Sequence, residues 1–158
     1  MWPWVAAVGA IVALVGVGIV LLGDRGGNSW QPWDVARQSI ADDFPELVAA
    51  TDGGSGFSDL TCETAPTEAG QQAKFRCADA EFGVSIIDYG DAETRDSYLP
   101  QADSFVVLGT GSCEVESYEI PNQAHPTFML APQGANSQYI LLVNGEDAED
   151  RRLTLPVC

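Results

Sequence analysis

The sequence predicts an α+β protein: a single N-terminal transmembrane helix followed by one small, disulfide-bonded extracytoplasmic domain. Three observations predict it. An apolar run occupies 2–22, four cysteines are spread through an acidic remainder, and two similar ten-residue segments begin at Asp91 and Asp147.

The run comes first. From Val5 to Leu22 there are only Val, Ala, Ile, Leu and Gly, and Trp2, Pro3 and Trp4 extend it. A spanning helix needs about 20 mostly apolar residues. Trp2 and Trp4 suit the headgroup level, and Asp24 and Arg25 close the run. A cleaved signal peptide would want a basic start and a small-residue cleavage site; neither is present. Residues 1–25 therefore read as a membrane anchor and 26–31 as a short linker. Ala6, Gly9, Ala13 and Gly16 share one helical stripe. Small residues on one face let a second helix approach closely, which makes this stripe the candidate helix-packing face for a protein partner or a second copy.

Composition bounds the remainder of the chain. Formal net charge is −16, from 23 acidic residues against seven basic. Such a surface repels nucleic acid and anionic headgroups, so no nucleic-acid partner is expected. About 130 residues beyond the anchor suffice for one domain, taken as 32–158. Cys62, Cys77, Cys113 and Cys158 form no C-x-x-C pair, and His125 is the single imidazole, a poor supply for zinc. Spaced cysteines behind an anchor read as disulfides in an oxidising compartment. That places the N-terminus in the cytoplasm and the domain outside. The expected pairing is Cys62–Cys77 across a hairpin turning through Pro66 and Gly70, and Cys113–Cys158 at the C-terminal residue.

Within the domain, Trp33, Ala36, Ile40, Phe44, Leu47 and Val48 recur at helical spacing. Pro32 suits a first turn and Pro45 breaks the helix, giving a kinked or divided helix over 32–50. The acidic, Gly-rich stretch 52–56 ends it; its spacing does not match a calcium loop. Strands are expected at 57–63, 72–78, 82–89, 104–108, 113–120, 127–131 and 138–144. Asp91-Ala-Glu-Thr-Arg-Asp-Ser-Tyr-Leu-Pro100 aligns without a gap with Asp147-Ala-Glu-Asp-Arg-Arg-Leu-Thr-Leu-Pro156. Each copy follows an apolar strand and opens on an Asp suited to capping. The pair reads as two tandem βββα units, 57–100 and 104–156, or as two similar helix starts.

Catalytic sets are missing. There is no G-x-S-x-G elbow, phosphate loop or dinucleotide fingerprint, and the carboxylates are too many for sequence to select a pair. No enzyme activity, cofactor or metal is expected. The expected function is a membrane-anchored, non-catalytic binding or accessory module of a cell-envelope assembly. The alternative is a tethered small-ligand sensor or carrier with a pocket between the sheet and the 32–50 helix.

Overall fold

The computed structural model describes residues 31–101 and 104–158. Its frame is one seven-stranded antiparallel sheet: β1 (Thr61–Thr64), β2 (Ala73–Ala78), β3 (Phe82–Asp88), β4 (Val106–Thr110), β5 (Cys113–Glu119), β6 (Thr127–Pro132) and β7 (Tyr139–Gly145). The spatial order is β1-β2-β3-β7-β6-β5-β4. Short helices α1 (Val35–Asp43), α2 (Ala92–Asp96) and α3 (Ala148–Arg151) cover it, so the domain is α+β. The expected anchor and small-residue stripe lie outside the described residues, as does the linker except Gln31, whose carbonyl accepts from the Asp52 N–H at 2.9 Å. No helix among the described residues is long and apolar enough to cross a membrane.

Side-chain alternation decides which residues meet. The register pairs Val84 with Val143 and Ile86 with Leu141 at the sheet centre. These join Phe75, Cys77, Phe128, Leu130 and Val115 in the main core. Residues one step along, Ile87 and Ile140, point the other way and form a smaller cluster with Tyr89, Leu99 and Met129. β3 and β7 are thus apolar on both faces, as strands in mid-sheet must be when both faces are covered.

The first helix lies on the main core. Pro32 lies ahead of the helix and not in its first turn, and Asp34 is the cap: its side chain accepts from the Arg37 backbone N–H at 2.9 Å. That N–H and the Arg37 guanidinium hold the Asp34 carboxyl below its ordinary pKa. The helix stops at Asp43, ahead of Pro45, and the apolar stripe continues through turns. Trp33, Ile40, Phe44, Leu47 and Val48 are buried, while Ala36 is exposed and Ala41 takes its place. Tyr139 stands edge-on to Phe44 and donates its hydroxyl to Asp43. Burial, then this bond, raises the Tyr139 hydroxyl well above its ordinary pKa, so it remains a donor. The space between α1 and the sheet is filled by this packing.

Residues 57–63 divide where extended structure was expected throughout. Phe57–Asp59 forms a 3-10 turn with Ser58 and Asp59 at positive φ, and the strand begins only at Thr61.

The two similar segments both become short helices after central strands, but on opposite faces. Their gap-free alignment is offset by an even number, 56, so even positions of β3 match even positions of β7. The register places even residues of β3 beside odd residues of β7 on the main core face. Accordingly α2 brings Leu99 to the minor cluster, while α3 buries Ala148 and Leu155 in the main one. Only the first Asp caps through its side chain: Asp91 accepts from the Thr94 N–H at 2.7 Å, whereas Asp147 makes no such bond. The two similar segments therefore pack on different faces of the sheet.

Both disulfides have the expected partners. Cys62 and Cys77 are directly paired across β1 and β2, with Cα atoms 3.9 Å apart. Cys113 at the start of β5 holds Cys158, with Cα atoms 5.7 Å apart.

Candidate functional site

Among the described residues, the edge of β4 and a cleft on the less covered face of the sheet have chemical character.

β4 ends the sheet, with β5 as its strand partner. Its neighbourhood, 104–112, carries no charged residue in a chain of net charge −16. Phe105, Val106 and Val107 are 46%, 55% and 51% exposed. Phe105 rests against Tyr118, with ring centroids 5.2 Å apart. Tyr118 in turn donates to Glu116 at 2.6 Å, and burial followed by that carboxylate pushes its hydroxyl up to about 12. The ring thus stays neutral, an apolar support for Phe105. The opposite edge differs. β1 has four residues, includes exposed Glu63, and is bridged at Thr61 by Ser55. Charge and brevity are ordinary protections of a sheet edge. β4 has neither.

The cleft has a volume of about 450 Å³. Its floor is the row Gly83–Asn144–Thr127, adjacent in register across β3, β7 and β6. One wall is the β2–β3 turn with Asp79, Ala80 and Glu81, and the other is the β5–β6 loop with Gln123, Ala124 and His125. Asp79 shapes its turn by accepting from the Glu81 and Phe82 N–H groups at 2.8 and 2.7 Å. Those bonds, assisted by Arg151, hold its carboxyl below the ordinary value. Arg76 reaches over Gly83 from β2. Its guanidinium donates to Ser85 Oγ at 3.3 Å and to Asn144 Oδ1 at 3.2 Å. A Cβ on residue 83 would lie 2.2 Å from Arg76 Nη2, so glycine there admits the guanidinium.

His125, the sole imidazole, lines this cleft beside Thr127, whose hydroxyl donates to the His125 carbonyl at 3.0 Å. No Ser, Thr or Cys nucleophile is bonded to its ring among the described residues. Groups of three or more metal-ligating side chains are likewise absent among the described residues. Ala6, Gly9, Ala13 and Gly16 cannot be placed relative to either feature, since they lie outside the described residues. Sequence reasoning missed both the β4 edge and Arg76. The uncharged run 104–112 was a legible signal for the first, while the second depends on which strands become neighbours.

The structure thus defines a class, a disulfide-bonded α+β domain built on a seven-stranded antiparallel sheet. The chain matches no protein-family model, no curated protein and no solved structure.

Proposed function

We propose that the chain is a membrane-anchored, extracytoplasmic, non-catalytic binding module, an accessory component of a cell-envelope assembly. The apolar run at 2–22 supplies the anchor, and the disulfides suit an oxidising compartment. The single observation that carries the binding role is the uncharged, apolar edge of β4. An extended segment of a protein partner adds to such an edge by main-chain hydrogen bonds, and Phe105, Val106 and Val107 supply apolar contact. The small-residue stripe in the span offers a second, independent contact within the bilayer.

Placement outside the cytoplasm is tested with Val107→Cys. This puts one exposed thiol on a chain whose own four cysteines are bonded. A membrane-impermeant maleimide should label the variant in intact cells and leave the wild type unlabelled. Labelling only after lysis contradicts the placement.

A further inference from the structure

We infer that the cleft over Gly83 is a binding site for a small zwitterion of the amino-acid type, with Arg76 as its carboxylate anchor. Charge is the first consideration. Arg76 is one of seven basic residues among 23 acidic ones, yet no carboxylate among the described residues lies within ion-pair distance of it. Arg37, Arg95 and Arg151 each have one, whereas Lys74 and Arg152 share with Arg76 the lack of one; Arg76 alone of these lines the cleft. The acceptors of Arg76 are both neutral, and one of them, Ser85, is buried at 5% exposure. The guanidinium is therefore fixed in direction by neutral acceptors, makes no ion pair among the described residues although Glu63 lies across from it in the β1–β2 register, and keeps three N–H groups available.

The floor adds a matching donor. Asn144 turns Oδ1 to Arg76, which leaves Nδ2 as a donor on the other side of the same amide. A planar guanidinium beside an amide N–H suits a carboxylate, which accepts from arginine through both oxygens. The rim then selects among carboxylates. Glu81 and Glu146, joined through the Glu146 N–H to Glu81 carbonyl bond at 3.2 Å, are exposed at the mouth together with Asp79. These carboxylates repel a polyanion and favour a ligand bearing an ammonium group a few bonds from its carboxylate. A volume of about 450 Å³ is within the range of small-ligand sites and exceeds the needs of a bare anion. The cleft is separate from the β4 edge, and either can fail without the other.

The test is titration of the full-length, isotope-labelled protein in mild detergent, followed at the Gly83 and Asn144 amide signals. Alanine and alanylalanine are the ligands; alanylalanine amide, N-acetylalanine and inorganic phosphate are the comparisons. The expected result is a saturable shift with alanine or alanylalanine. It should weaken at least tenfold on amidation of the carboxylate, on acetylation of the amine, and in Arg76→Gln. The amidated ligand tests the anchor in the unaltered protein, so the conclusion does not hang on the variant folding. Absence of saturation, equal binding of the amide, or full binding by a folded Arg76→Gln overturns the site. Phosphate binding as tight as alanylalanine overturns the zwitterion assignment.

Discussion

Replacing Arg95 by alanine is expected to cost about 2–4 kcal/mol, from the two buried carbonyls left without this donor and the cavity left by the side chain. Arg95 is 2% exposed although it belongs to a helix of only five residues. Its Nη1 donates to the Pro132 carbonyl at 2.8 Å and to the Tyr139 carbonyl at 3.2 Å. Its Nε donates to Asp96 at 2.7 Å, which supplies the countercharge from a largely exposed side chain. A five-residue helix has no stability of its own, so its position depends on this strap and on Leu99. Alanine would remove the donors and leave a void beneath α2. For a domain of this size the loss is a large share of total stability, visible as a fall in Tm on the order of 10 °C. Arg95→Met keeps much of the side-chain volume and should cost less than alanine. A denaturant titration giving under about 1 kcal/mol for Arg95→Ala would show that the strap is dispensable.

The second large effect concerns the C-terminal disulfide. Replacing both Cys113 and Cys158 by alanine is expected to cost about 4 kcal/mol on the chain-entropy model for a separation of 45 residues. The native state loses order as well. Leu155 and Val157 are buried in the main core, and the adjoining Cys158 is fastened to β5. Without that bond, the segment after α3 opens locally more often. Limited proteolysis under native conditions should clip the double variant after α3 while sparing the wild type. The Cys62–Cys77 bridge closes a shorter loop, about 3 kcal/mol on the same model, within a hairpin already paired by backbone bonds. Equal protease resistance of the Cys113/Cys158 variant and the wild type would contradict this account.

Range along the chain decides how much was legible in the sequence. Strands were readable because their apolar alternation and the punctuating Gly and Pro are local signals. Cys62–Cys77 was readable because a hairpin joins neighbours in sequence, and Cys113–Cys158 followed by elimination. The cap at Asp34 was within reach, since Asp followed three residues later by Arg37 is also local. Less accessible was anything set by strand order. That β4 ends the sheet depends on β7 inserting between β3 and β6, a pairing over more than 50 residues. The same insertion brings Asn144 beside Gly83 and completes the cleft around Arg76. It also turns α2 and α3 to opposite faces, which six matches in ten aligned residues could not reveal because a strand has a period of two.

The central claim is that this is a binding module, and its most direct test is co-purification of the full-length protein in mild detergent. Three forms are compared: wild type, Val107→Lys, and Gly9→Leu with Gly16→Leu. A lysine on an edge strand opposes strand addition without disturbing the core, because Val107 is half exposed. The account predicts a partner that accompanies the wild type, is lost or reduced at least tenfold with Val107→Lys, and is weakened by the paired leucines in the span. A wild type that purifies with no partner, or a Val107→Lys variant and a Gly9/Gly16 variant that both retain every partner of the wild type, would contradict it.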